Sequence, residues 1–201
     1  MKLLLTSAGL TTKTIADNFL GLFTKPTSEL SVLLVPYAQN AEEQFYVDQS
    51  RNELLNLGIK KVKTFNLTAE KFEGDLANYD AVYICGGNTF AILKRLRATK
   101  LAEKIALAVK SGDLVYVGVS AGSIIAGPSI AIAGWGSTGD ANEVGLTDLC
   151  GLELTKIAIY PHFEETQREE VRAFEATVEY PVMTLTNEEA LLIHDKTIKK
   201  I

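Results

Sequence analysis

The feature that most constrains this chain is an alternation running through its first two-thirds. Short apolar, β-branched runs are followed, one after another, by stretches with helical spacing. "KLLLTS" reads as a strand and "TIADNFLGLF" as an amphipathic helix. "LSVLLVPYA" is a second strand whose near-continuous apolar character suits a strand covered on both faces. A helix over "AEEQFYVDQSRNELLNLG" follows, with Gly58 placed to cap it. "KKVKTFNL" and "YDAVYICGG" are the next strands. "TFAILKRLRAT" and "LAEKIALAVKSG" make a helical pair ending at Gly112, and "DLVYVGVS" leads into a short helix over "AGSIIAG". Such β-α alternation predicts an α/β fold of three layers, a mostly parallel sheet with helices on both faces. Right-handed crossovers then gather the strand C-termini on one edge, where sheets of this kind bind ligands.

The last third changes character. "AIAGWGSTGDANEVG" reads as a loop or loose hairpin. "LTKIAIYPHF" reads as a strand that, if it joins the sheet, puts His162 on or near the functional edge. "EETQREEVRAFEAT" is a charged helix with glutamates at its start, favourable for the helix dipole. The closing segment reads as a strand and a terminal hairpin turning near Asp195-Lys196. Without repeats, low-complexity stretches or linkers, residues 1–201 are expected to form a single domain.

Composition narrows the function classes. A net charge of −5 argues against a nucleic-acid or anionic-membrane binder. No apolar run approaches a membrane span, and that of "MKLLLTSAG" is too short for a signal peptide. Two cysteines, Cys85 and Cys150, form no disulfide framework, which points to a reducing, cytoplasmic setting. Two histidines without zinc-like spacing predict no metal site, and no organic cofactor motif is present. A monomer or a homodimer is compatible with the chain.

Gly118-Val119-Ser120-Ala121-Gly122 has the nucleophile-elbow pattern G-x-S-x-G, with a strand before it and a helix after it. There, Ser120 would sit on a strained turn, and the Ala121 N–H would be placed to donate to an oxyanion. The competing reading makes Ser120 a simple N-cap. A serine nucleophile needs a base. His194, beside a hairpin turn, reads as a solvated histidine, which leaves His162 in "YPHF" as the better candidate. "CGGNTF" ends one strand and opens a helix, so the Gly87 N–H could be the second oxyanion donor. Cys85 reads as a buried core thiol. Asp140, Glu143, Glu188 and Glu189 are all available as the acid, and spacing does not choose among them.

Taken together, "YDAVYICGGNTFAILKRLR", "GVSAGSIIAGPSI" and "IYPHF" resemble the serine peptidases of the aspartyl dipeptidase (dipeptidase E) and cyanophycinase family, over nearly the whole chain. The resemblance implies a class I glutamine amidotransferase-like, flavodoxin-like fold and a serine-type hydrolase acting on short peptides. By position it implies Ser120 as nucleophile, His162 as base, Asp140 as third member, and Gly87 with Ala121 as oxyanion hole. A late glutamate considered for the third role in the family corresponds here to Asn187, with Glu188 adjacent, which favours Asp140. Dipeptidase members cleave after an N-terminal aspartate, which calls for a cation for its side chain and a carboxylate for its amine. Arg168 or Arg172 is the expected cation, and Asn88 and Glu188 are further expected substrate contacts. A non-peptide amidase or acyltransferase, and a non-catalytic small-ligand module, are the alternatives.

Overall fold

The computed structural model describes residues 1–201. Five parallel strands form the centre: β1 (Lys2–Thr6), β2 (Ser31–Val35), β3 (Lys61–Thr64), β4 (Ala81–Ile84) and β5 (Val115–Val119). The terminal hairpin β8 (Ala190–His194) and β9 (Thr197–Lys200) extends them on the β1 side. The seven-stranded order is β3-β2-β4-β5-β1-β8-β9, with β8 antiparallel to β1. This is the α/β, mostly parallel arrangement that the alternating pattern predicts, and it fits the flavodoxin-like fold that the resemblance implies.

Period-two alternation along each strand divides the core into two. Leu3, Leu5, Leu33, Val82, Ile84 and Tyr116 face one buried cluster. Leu4, Val32, Leu34, Ala81, Tyr83 and Val117 face the other. Successive side chains of a strand point to opposite faces, so a strand buried on both must be apolar throughout. Helices supply the outer layers. α1 (Lys13–Leu20) and α2 (Ala41–Asn56) bury Ile15, Phe19, Val47 and Leu54 in the second cluster. α3 (Thr89–Ala98) and α4 (Leu101–Ser111) bury Leu93, Leu96, Ile105 and Val109 in the first.

Local signals set the helix ends. The Thr12 and Asn40 side chains accept from the Ile15 and Glu43 N–H groups, capping α1 and α2. Gly58, at φ +87°, ends α2, and Gly112, at φ 92°, caps α4; a Cβ would be strained in this left-handed region.

The pattern leaves the placement of one strand open. The strand before His162, β6 (Ala158–Tyr160), does not join the main sheet. It pairs in parallel with β7 (Val182–Thr184) as a separate two-stranded sheet. Both are only three residues long, and the antiparallel hairpin occupies the position beside β1 that a sixth parallel strand could have taken. β6 lies against α5 (Ala121–Ile125) and still delivers the chain after Tyr160 to the strand C-termini.

Candidate active site

The site is built where β5, β4 and β1 end. Ser120 follows β5 with φ 50° and ψ −110°, a sparsely populated conformation for a residue with a side chain. Packing on both sides enforces it. A Cβ on Gly118 would lie 2.5 Å from the Gly122 carbonyl oxygen, and one on Gly122 would lie 2.3 Å from the Ile84 carbonyl oxygen. Hence the glycines flanking Ser120 let strand, turn and helix pass at backbone contact. Ser123 ties the turn down, its hydroxyl donating to the Thr6 and Gly118 carbonyls at 2.7 and 2.8 Å.

Ser120 does not use its hydroxyl as a helix cap; no side-chain cap bond is present. Its Oγ instead lies 2.9 Å from His162 Nε2. His162, at φ 56°, is itself in the left-handed region. Ser7, buried just past β1, holds it there by accepting the His162 backbone N–H at 2.7 Å. The other ring nitrogen, Nδ1, lies 2.7 Å from Asn187 Oδ1. A carboxamide oxygen can only accept, so the proton sits on Nδ1 and the Nε2 lone pair faces the serine hydroxyl. The Ser7 hydroxyl donates to the same Asn187 oxygen at 3.1 Å, fixing the amide's orientation.

The sequence-based third member, Asp140, is elsewhere. Its Oδ2 accepts the Thr89 N–H at 2.8 Å at the start of α3, and no hydrogen bond or ion pair joins it to His162. The position of Asp140 has a structural cause. The loop carrying Asp140 is tied to α3, with the Asn88 amide donating to the Ala141 carbonyl and Lys94 Nζ to that of Val144, each at 2.8 Å. Asn187 arrives from the opposite side, on the turn between β7 and β8.

The expected substrate contacts also move. Asn88 caps α3 by accepting the Ala91 N–H and clasps the 140s loop. Arg168 pairs with Glu165 in the turn before α6 (Arg168–Glu175) and lies 5.8 Å over the Phe163 ring; Arg172 pairs with Glu169. Glu188 is exposed, with no polar partner. Gly87, at φ +134°, follows β4 beside the nucleophile, and its N–H is not spent on any other group. The Ala121 N–H is the first of α5 and has no acceptor in its own turn.

Two cavities meet at Gly87, Ser120 and His162. The smaller, about 230 Å³, lies towards the 130s loop and is walled by Ile132, Trp135 and Tyr160. The larger, about 650 Å³, opens towards α2 and carries Glu42, Glu43 and Glu53. Burial lifts the Glu53 carboxyl above the ordinary carboxylate range, opposed by bonds from the Leu10 N–H and the Tyr83 hydroxyl. Cys85, beneath the site, is buried and its thiol is pushed up to about 12, so it is no thiolate nucleophile at neutral pH. No group of acidic, histidine or cysteine side chains is arranged to hold a metal ion.

Asn187 and Ser7 are the residues that the sequence did not single out; for Asn187, a neutral side chain where the resemblance called for an acid hid the role. For Ser7, the only signal was a hydroxyl two positions beyond an apolar run, a pattern too common to single out.

A serine backed by a histidine, set on a strand-to-helix elbow of an α/β sheet, defines a serine hydrolase. The model of peptidase family S51 matches residues 3–201. An uncharacterized peptidase of Listeria monocytogenes is 32% identical over 189 residues, covering 88% of this chain and 90% of that protein. A Drosophila melanogaster protein named "Probable alpha-aspartyl dipeptidase" is 29% identical over 193 residues, covering 87% and 77%. The crystal structure of a candidate peptidase E from Listeria monocytogenes superimposes with a TM-score of 0.80 at 27% identity, covering 100% of this chain and 97% of that one. The chain belongs to peptidase family S51, and it is a serine-type peptidase. No helix is long and apolar enough to cross a membrane.

Proposed function

We propose that this enzyme hydrolyses short peptides, with Ser120 as nucleophile, His162 as general base and Asn187 as the group that orients the imidazole. The observation that carries the reading is the chain of contacts from Ser120 Oγ to His162 Nε2 at 2.9 Å and from His162 Nδ1 to Asn187 Oδ1 at 2.7 Å. Ser120 Oγ attacks the peptide carbonyl as His162 Nε2 takes its proton. The Gly87 and Ala121 N–H groups hold the developing oxyanion. His162 then protonates the leaving amine, and water releases the acyl group by the reverse sequence. Asn187 stabilises the imidazolium through a hydrogen bond without a counter-charge.

Cavities of about 230 and 650 Å³ beside Ser120 have room for a short peptide. Two unpaired cysteines support a cytoplasmic setting. A fluorophosphonate is expected to label Ser120, and Ser120→Ala is expected to lose both labelling and dipeptide turnover. Full turnover in that variant overturns the mechanism. A wild-type protein that labels but cleaves only simple amides or esters points instead to a non-peptide amidase.

A further inference from the structure

The two cavities flanking Ser120 share one property that bears on the substrate: neither is lined by a lysine or an arginine. The only charged residue lining the smaller one is Asp140. Just behind its wall, the Glu170 carboxylate accepts the Tyr160 hydroxyl at 3.1 Å and the Ser137 N–H at 3.3 Å. The larger cavity adds Glu42, Glu43 and Glu53. Arg168 and Arg172, the cations expected from the sequence to neutralise an acidic substrate, are each paired with a glutamate of their own segment and line neither cavity.

Resting on the peptidase reading above, we infer that the smaller cavity takes the side chain of the residue whose carbonyl Ser120 attacks, and that it selects a carboxamide, as in N-terminal asparagine, over a carboxylate. Position supports the first half. Gly87 and Thr89 border the cavity on one side of Ser120, and Ile124, one turn beyond Ala121, borders it on the other. Thr89 and Ile124, which neighbour the two oxyanion donors in the chain, border this cavity and not the larger one, so the acyl side chain is assigned to it. A volume of about 230 Å³ suits one short side chain.

Polar chemistry supports the second half. Asp140 uses Oδ2 on the Thr89 N–H, and no hydrogen bond occupies Oδ1, which leaves it to accept from an NH₂ group. The Thr89 hydroxyl, on a residue 1% exposed, is the one buried side-chain polar atom without a partner. Thr138 and Gln167, 3.4 Å apart across the mouth, supply further neutral donors. A carboxamide needs both an acceptor and a donor, and the cavity offers both. A carboxylate of the same shape finds no cation, loses the bond to Asp140 and meets like charge there. Asp140 and Thr89 are thereby assigned as specificity residues.

The test compares the isosteric dipeptides Asn-Leu and Asp-Leu, with Lys-Leu as a third arm. Binding to Ser120→Ala is followed by the fluorescence of Trp135, the only tryptophan, which lines the cavity. Hydrolysis is followed in the wild type. Asn-Leu is expected to exceed Asp-Leu by about tenfold or more in both affinity and kcat/KM. Thr138→Lys, at an exposed position, is expected to shift that ratio towards Asp-Leu. Asp-Leu equal to or better than Asn-Leu overturns the inference, as does Lys-Leu bound more tightly than Asn-Leu, or no binding of any dipeptide. Selective binding of Asn-Leu by Ser120→Ala, with neither labelling nor turnover in the wild type, supports the pocket and refutes the catalytic reading instead.

Discussion

Replacing Asn187 by alanine asks what a neutral residue contributes behind a catalytic histidine. Asn187 Oδ1 accepts from His162 Nδ1 at 2.7 Å and is itself braced by the Ser7 hydroxyl. During turnover the imidazole becomes charged, so this bond turns from a neutral one into a charge-assisted one. Charge-assisted bonds are worth about 1.5–3 kcal/mol. Only its gain over the neutral bond, itself worth about 0.5–1.5 kcal/mol, lowers the barrier. At about 1.4 kcal/mol per factor of ten, a difference of about 1–1.5 kcal/mol predicts a loss in kcat of about five- to twelvefold. Asn187 is exposed, which places the expected loss near the lower end. A triad aspartate contributes far more: its replacement by asparagine elsewhere leaves the imidazole in the wrong tautomer and costs about 10⁴-fold in kcat. The companion variant Asp140→Ala separates the two possibilities. It removes the acceptor of the Thr89 N–H and a wall of the smaller cavity, so its larger effect is expected in KM. Steady-state kcat and KM for dipeptide hydrolysis, with circular dichroism as a check on folding, decide the matter. An unchanged kcat in Asn187→Ala refutes the reasoning. So does a fall of about 10³-fold or more in the kcat of folded Asp140→Ala, since that is the scale of a triad acid.

Gly122→Ala puts a methyl group 2.3 Å from the Ile84 carbonyl oxygen, between β4 and α5. The backbone has to move apart, and a loss of about 1–3 kcal/mol is expected from overpacking. Urea denaturation measures it, and an unchanged midpoint contradicts the close-approach account of the elbow glycines. Burial raises the Cys85 thiol from its ordinary 9.0 to about 12. The unfolded chain therefore releases this proton at a lower pH than the folded one. Its contribution to stability is fully present below pH 9.0 and is lost progressively as pH climbs towards about 12. Stability measured from pH 7 to 10.5 is expected to fall less steeply in Cys85→Ala than in the wild type; parallel curves reject the assignment.

Much of this protein was legible without coordinates because its signals are local. An apolar run such as "SVLLV" can only be a strand buried on both faces, and alternation with helices then dictates a parallel sheet. The elbow was legible because Gly118 and Gly122 leave no room for any side chain, which makes the pentapeptide a backbone requirement as well as a chemical one. His162 stood out because only two histidines exist.

The rest depended on distance in space. Asp140 and Asn187 both carry an acceptor oxygen, and nothing in their neighbouring residues says which reaches His162. The loop carrying Asp140 is drawn to α3 by Asn88 and Lys94, whereas Asn187 is brought in by the turn that leads β7 into β8. Ser7 takes part only because β1 lies between β5 and β8 in the sheet, an order no local pattern encodes. Arg168 illustrates the converse: the sequence supplies a cation after the histidine, but in the fold it pairs with the Glu165 carboxylate three residues earlier and lines neither cavity. By itself the sequence determined the buried parallel strands and the glycine-flanked elbow, because strand burial and backbone crowding act over a few residues. Tertiary structure alone decided the partner of the histidine and the charge lining the cavities, because those depend on which distant side chains the sheet order brings within about 3 Å of one another.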